Sequence, residues 1–442
     1  MAKQVCVAEN DMAKCTGCMA CVDACPVNAI KESFTKDGFR IPYVQEDKCV
    51  KCGRCMRVCS LNVEKKLFKP ISVYRMAADD NKIRARCSSG GVFALLAEKM
   101  IECGGMVVGA VYDAESKEIR HLSSDEAGLE DIYRSKYAQS NLIGIYQKTA
   151  EALKTGRNVL FCGTPCQVRA LSNYLDGRKQ SGNLLTVDFM CHGVPSTIQF
   201  KDFILEREKK EHSPVVNVTF REKDDGWRTQ VIKTYHENGR VWKKTSYYYY
   251  YYYMFLNNYS LRDSCYSCEE YNTHKADITL ADDWNCSEND NLGTSLVFVN
   301  SLSGQSAIYS VLDKVTYTDV TQQSMDNIAI YSHSGYDYRK KEQWKEALET
   351  GGYRKAKTIL FYKASMIPLA KYKLRRQASM IKRMIKRMIK KNGGVSNRSI
   401  AAAANYLTSY NRKLIVYSNV NTEYSKGYHL YLRIALGKPS VA

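Results

Sequence analysis

Cys15-Thr16-Gly17-Cys18-Met19-Ala20-Cys21-Val22-Asp23-Ala24-Cys25-Pro26 and Cys49-Val50-Lys51-Cys52-Gly53-Arg54-Cys55-Met56-Arg57-Val58-Cys59 carry one spacing twice, CxxCxxCxxxC. Two-residue gaps let three thiolates wrap one face of a cuboidal four-iron cluster, and the fourth cysteine of each run ligates the cluster of the other run. The spacing therefore predicts one [4Fe–4S] cluster on Cys15, Cys18, Cys21 and Cys59, and a second on Cys49, Cys52, Cys55 and Cys25. Gly17 and Gly53 suit tight loops whose amides reach cluster sulfur. Zinc sites also use CxxC, but four ligands satisfy zinc, and neither the second CxxC step nor the CxxxC would be called for. Cys6 lies outside both runs and reads as a bystander.

The rest of the chain is long enough for further domains: 442 residues, of which 45% are hydrophobic, an ordinary share for a soluble globular protein. No apolar run approaches the ~18–20 residues of a membrane span, and Met1–Asn10 lacks the basic-then-apolar order of a signal peptide. The expectation is a cytoplasmic protein in which the 17 cysteines are metal ligands rather than disulfide partners. The net charge of +19 is carried by the tail: 20 Lys/Arg and one acid follow from Arg354 onward, and the remainder balances. Lys371–Lys391 holds ten Lys/Arg and no acid, with Ile381, Ile385 and Ile389 beside Met380, Met384 and Met388 at helical spacing. It reads as a basic amphipathic helix suited to an anionic membrane surface, which would place the protein peripherally on the inner membrane face, or to an acidic protein. No recognised motif accompanies the charge, so nucleic acid is not expected.

Past Lys66, β-rich runs alternate with helical ones, the pattern of an α/β sheet. Strands are predicted at Ile71–Ala78, Met106–Tyr112, Asn158–Phe161 and Leu184–Met190, and helices at Gly90–Cys103, Leu142–Lys154, Pro165–Leu175 and Thr197–Lys210. Ligands of open α/β sheets sit beyond the carboxyl ends of strands. There the sequence places Cys162-Gly163-Thr164-Pro165-Cys166 and Met190-Cys191-His192-Gly193-Val194-Pro195-Ser196. Thr164 suits an N-cap and Pro165 the first helical position, so Cys166 falls in a first turn that favours a thiolate. A further CxxC, Cys265-Tyr266-Ser267-Cys268, allows a third four-cysteine site on Cys166, Cys191, Cys265 and Cys268, with Cys162 and Cys286 as substitutes. The plain alternative for each isolated cysteine is a small buried hydrophobe, the reading preferred for Cys87 and Cys103. His192 suits proton transfer near neutral pH, or equally a hydrogen-bonded turn. Ser88-Ser89-Gly90-Gly91 and Ser135-Lys136-Tyr137-Ala138-Gln139-Ser140-Asn141 each precede a helix and suit an anion. Neither GxGxxG nor GxxxxGK[ST] is present. Tyr247–Tyr253, seven tyrosines in a row, reads as a helix or strand packed over the site or as a repeat expansion on a partly buried element.

Taken together, GGVFALLAEKMIECGG, SKYAQSNL, LFCGTPCQVRAL, DFMCHGVPS and SCYSC followed by ADITLADDW resemble the beta subunits of coenzyme F420 hydrogenase and dehydrogenase, over about residues 70–335. The resemblance implies FAD and a [4Fe–4S] cluster in the body. It implies Cys166, Cys191, Cys265 and Cys268 as cluster ligands, and Ser89, Gly90, Gly91, Ser135, Gln139, Ser140 and Thr164 near the flavin. The expected architecture is an α+β ferredoxin-like dicluster domain (1–66), an α/β mixed-sheet flavoprotein domain (67–160 and 161–335) and a basic helical tail (336–442). The expected function is an iron–sulfur flavoprotein oxidoreductase with His192 in catalysis. Its partners would be a small-molecule hydride donor or acceptor, such as a deazaflavin, and a soluble ferredoxin or another redox protein. The alternative is a non-catalytic electron-transfer subunit.

Overall fold

The computed structural model describes residues 6–67, 69–245, 249–286, 290–326, 335–363, 414–417 and 433–436. It forms two compact units, Met1–Lys363 and Ala364–Ala442. In the second, Leu414–Tyr417 and Arg433–Leu436 pair as antiparallel strands. These apolar, β-branched segments form a ladder where a helical tail was expected; the basic stretch 371–391 lies outside the described residues.

The first unit begins with the cysteine-rich segment. Two short helices, α1 (Ala20–Asp23) and α2 (Arg54–Val58), flank a hairpin of β1 (Ile30–Phe34) and β2 (Arg40–Val44). Each helix starts from a residue in the left-handed region, Met19 for α1 and Gly53 for α2. So small a module cannot bury a core of its own. Its apolar residues Cys21, Cys55 and Val58 instead join one cluster with Ile145, Tyr146, Val168 and Leu171 of the body.

The body is built on an eight-stranded mixed sheet, and Val215–Glu222, Val231–His236 and Val241–Thr245 form a separate three-stranded antiparallel sheet. The strands of the larger sheet are β3 (Ser72–Ala78), β4 (Met106–Asp113), β5 (Glu118–Ser123), β6 (Val159–Cys162), β7 (Leu184–Phe189), β8 (Ile278–Asp282), β9 (Ser295–Val299) and β10 (Val315–Asp319). Their spatial order is β10-β3-β9-β8-β7-β6-β4-β5. β4, β6, β7 and β8 run parallel at its centre, and the outer pairings are antiparallel. A single sheet thus spans the expected boundary at 160/161. The helices between are α3 (Val92–Glu102), α4 (Ile145–Lys154), α5 (Pro165–Leu175) and α6 (Thr197–Glu211), each within a few residues of its expected span.

Tyr250–Tyr253 of the tyrosine run open a helix, α7 (Tyr250–Leu256), despite the β preference of tyrosine. Tertiary packing decides it: Tyr250, Tyr251 and Tyr252 are fully buried. Tyr251 stacks on Phe203 and its hydroxyl donates to the Tyr137 carbonyl at 2.5 Å, while Tyr250 donates to Glu206 at 3.0 Å. A further helix, α8 (Arg339–Ala356), buries Trp344, Ala347 and Ala356 against Met254 and Leu360. Residues 336–363 therefore pack with the body, past the expected 335/336 boundary. No helix among the described residues is long and apolar enough to cross a membrane.

Candidate metal centre

β6 and β7 are parallel neighbours in register, Cys162 opposite Val187. Their carboxyl ends therefore open on one rim, which brings the segments after the two strands together. Thr164 caps α5, its amide donating to Gln167 Oε1 at 2.9 Å, and places Cys166 in the first turn. The chain after β7 is zipped to residues 260–262: Pro195 bridges Leu261, and the Arg262 amide donates to the Val194 carbonyl at 3.0 Å. That pairing brings the Cys265–Cys268 loop beside Cys191.

The result is a cavity enclosing about 560 Å³ of space free of atoms, mouth included. Cys166, Cys191, Cys265 and Cys268 all stand on its wall, together with His192, Gln139, Thr164, Glu270, Tyr271 and Tyr336. Cys162 and Cys286 are elsewhere: Cys162 is enclosed near Asp188 and Lys136, and Cys286 lies near Arg228. Cys87 is buried and Cys103 exposed. Burial pushes the thiols up, Cys265 to about 11 and Cys166 well above the ordinary range. Empty, this pocket disfavours thiolates; a bound metal would have to deprotonate them. The Gly193 amide donates to Cys191 Sγ at 3.3 Å, and Thr164 Oγ1 stands 3.1 Å from Cys166 Sγ. Such contacts tune a cluster where one is bound. Among the described residues no three Cys, His or carboxylate groups form a site for a single metal ion; the four thiols border a wider space.

The N-terminal runs form a second cavity. Its wall carries Cys15, Cys18, Cys21 and Cys59, the crossed set, with Asn10, Thr16 and Pro42. Asn10 Nδ2 donates to Cys59 Sγ at 3.4 Å and the Gly17 amide to Cys15 Sγ at 3.4 Å. In the other set, Cys55 is buried, Cys52 is exposed, and Cys25 accepts from the Ala29 amide at 3.2 Å. Cys6, read as a bystander, is buried with its thiol beside Cys49 and Cys55.

Thr16 belongs to both cavities. Its carbonyl accepts from Gln139 Nε2 at 3.0 Å, so the first cysteine loop forms part of the wall of the body's four-thiol cavity. Other contacts fix this junction. The Asp23 carboxylate accepts from the amides of Gly144 (2.8 Å) and Tyr146 (3.2 Å), capping α4 from another domain. Tyr146 donates from its hydroxyl to the Cys18 carbonyl at 2.9 Å. Lys65, in the linker, pairs with Glu270 at 3.2 Å, and Glu270 also pairs with buried Arg169.

Gly17 lies at the closest point, with φ +66°. A Cβ there would stand 2.2 Å from Arg262 Nη2 and 2.7 Å from Gln139 Nε2. Arg262 cannot swing away, because it is buried and bonded to the Arg40 carbonyl. Gly17→Ala is therefore expected to destabilise the chain by about 1–3 kcal/mol. Anaerobic denaturant unfolding checks this, and an unchanged midpoint would count against the junction.

His192 is placed at the cavity, Nε2 3.3 Å from the Phe255 carbonyl and Nδ1 3.3 Å from the Tyr336 hydroxyl, which donates to the His192 carbonyl at 2.9 Å. The flavin candidates divide. Gln139 and Thr164 line the cavity, and Gln139 Oε1 is buried with no hydrogen-bond partner among the described residues. Ser140 Oγ accepts from Gln167 at 2.9 Å. Ser89, Gly90 and Gly91 stand on a separate loop, which Ser135 meets through Ser88. The Ser135 amide donates to Ser88 Oγ and the Gly90 amide to Ser295 Oγ, both at 2.9 Å, and a Cβ on Gly91 would stand 3.2 Å from Ala78. Two donors expected to face an anion are thus already paired. Thr16, Gln167, Glu270 and Tyr336 were not picked out from the sequence, and only Thr16, between two ligand cysteines, carried a local signal.

Comparison with known proteins adds three findings. Residues 156–323 match the family described as the C terminus of the coenzyme F420 hydrogenase/dehydrogenase beta subunit. Residues 14–63 match the 4Fe-4S dicluster domain. Among solved structures, a chain of the xenon-derivatised F420-reducing [NiFe] hydrogenase complex from Methanosarcina barkeri is 15% identical, with a TM-score of 0.43, over 66% of this chain and 97% of that one. No curated protein matches the sequence.

Proposed function

We propose, from the match of residues 156–323 to the C-terminal family of coenzyme F420 hydrogenase/dehydrogenase beta subunits and of residues 14–63 to the 4Fe-4S dicluster domain, that the chain is an iron–sulfur flavoprotein oxidoreductase. It links a two-electron organic substrate, a deazaflavin or another hydride donor or acceptor, to a one-electron carrier. The observation that carries this reading is the cavity wall on which Cys166, Cys191, Cys265 and Cys268 meet Thr16 of the first cysteine loop.

In this reading those four cysteines hold a third [4Fe–4S] cluster, beside those of Cys15, Cys18, Cys21 and Cys59 and of Cys49, Cys52, Cys55 and Cys25. Gln139, Ser140 and Thr164 would hold FAD at the cavity, and Ser89, Gly90, Gly91 and Ser135 at the neighbouring Ser88–Ser135 junction. When bound, the flavin would supply hydride exchange and the clusters one-electron transfer. His192 holds a proton at the cavity wall, its ring fixed between Phe255 and Tyr336. Lys65, Arg262 and Lys341 offset negative charge at Cys265 and Cys268. Glu270 and Arg169 keep each other buried and paired.

The pairing of the Gly90 and Ser135 amides favours a second reading, a flavin-free electron-transfer subunit. Stopped-flow reduction of the anaerobic protein by a reduced deazaflavin separates the two. The flavoprotein reading expects flavin bleaching followed by cluster bleaching, with the second phase lost in Cys166→Ser. Absence of any flavin signal would leave the carrier reading.

A further inference from the structure

Electrons that reach the N-terminal module need a way out, and the two cysteine sets are not equivalent. The set with Cys15, Cys18, Cys21 and Cys59 faces inward, sharing Thr16 with the body's cavity. The other set reaches solvent through Cys52, the exposed cysteine of that run. Beside it Lys51 has φ +50° and Val50 is 61% exposed. On α2 the burial of Cys55 and Val58 turns Arg54 and Arg57 to solvent. Lys48, Lys51, Arg54 and Arg57 are exposed, and among the described residues none of them is ion-paired. Against them stand Glu46 and Asp47 on the approach to the loop.

We infer that a one-electron carrier protein with an acidic face docks over Cys52, on the patch of Val50, Lys51, Arg54 and Arg57. This rests on the reading that the N-terminal module carries clusters. Transfer is one electron per encounter: the chain is oxidised by one electron and the carrier reduced by one, or the reverse. An apolar centre of Val50 and an unpaired basic rim suit an acidic partner, which a basic field steers into place.

The test uses the full chain, reduced with dithionite and freed of excess, mixed in a stopped-flow with an acidic blue-copper protein as one-electron acceptor. Lys51→Glu/Arg54→Glu/Arg57→Glu is expected to slow the second-order rate about 10-fold or more at low salt, with iron content unchanged. The same charge reversal in the tail, Lys386→Glu/Arg387→Glu/Lys390→Glu, is expected to leave it within about 2-fold. Zero-length carbodiimide cross-linking to the same protein should couple Lys51 in the unaltered chain. If the triple variant loses iron, Lys51→Glu alone is read, with about a 3-fold slowing expected. An unchanged rate in a patch variant with full iron, or slowing by the tail reversal alone, would overturn the patch. Because dithionite reduces the clusters directly, this result stands apart from whether flavin or the third cluster is present; iron content reports on those separately.

Discussion

Replacing Cys268 by serine is expected to cost the chain about four of about 12 iron atoms, while the two N-terminal clusters keep their spectra. Cys268 closes a site whose other thiols come from three separate segments, after β6, after β7 and from the loop of Cys265. A three-thiolate remnant in a pocket that burial already sets against thiolates has little hold on a cluster. The N-terminal cavity draws on none of these residues. The controls are Cys162→Ser and Cys286→Ser, which should retain all the iron, since neither residue lines the cavity. Anaerobic iron analysis with electron paramagnetic resonance of the reduced protein checks this. Loss of iron from Cys162→Ser, with Cys268→Ser unaffected, would reassign the site.

The largest stability effect is expected at Lys341. Its side chain is fully buried, with Nζ 2.5 Å from Asp37, 3.5 Å from Asp263 and 2.7 Å from the Leu261 carbonyl, and over the ring of Phe39. It ties α8 to the hairpin of the cysteine module and to the strand leading into Cys265. Lys341→Met leaves the Asp37 carboxylate with only the Thr35 hydroxyl as side-chain partner, while Asp263 keeps Lys345 at 2.9 Å, at a cost of about 3 kcal/mol. Burial works to raise the Asp37 carboxyl, but the Lys341 charge prevails and holds it below its ordinary 3.8. A carboxyl depressed by folding stabilises the folded state above 3.8, and that contribution fades as pH falls through its folded value. The native chain should lose this contribution in acid, and Lys341→Met should lose less of it, since Thr35 and Lys345 still lower the Asp37 carboxyl. Urea unfolding of both proteins from neutral to acid pH reads the two effects. A loss under about 1 kcal/mol at neutral pH would show that the pair is not what holds α8 in place.

Much of the site was legible because its signals are local. Cluster spacing is set by a few bonds along the chain, so Cys15–Cys25 and Cys49–Cys59 could be read directly. The placing of Cys166 and Cys191 came from strand–helix alternation, which puts residues after consecutive parallel strands on one rim. What stayed hidden depends on contacts far apart in sequence. Asp23 caps a helix 121 residues away, and Lys341 reaches Asp37 across 304 residues. No local pattern marks either. The turn at Ser88–Gly91 reads as an anion site because its glycines and amides are visible and Ser295, which takes the Gly90 amide, is not. The tyrosine run reads as a low-value repeat until Phe200, Phe203 and Phe220 are seen around it.

A third cluster beside a flavin, set against the first N-terminal cluster, is the feature on which the proposed function turns. Iron and flavin per chain after anaerobic purification test it most directly. About 12 iron atoms and about one FAD are expected. About eight iron atoms and no flavin would contradict it, leaving a two-cluster electron carrier whose body cavity holds neither group.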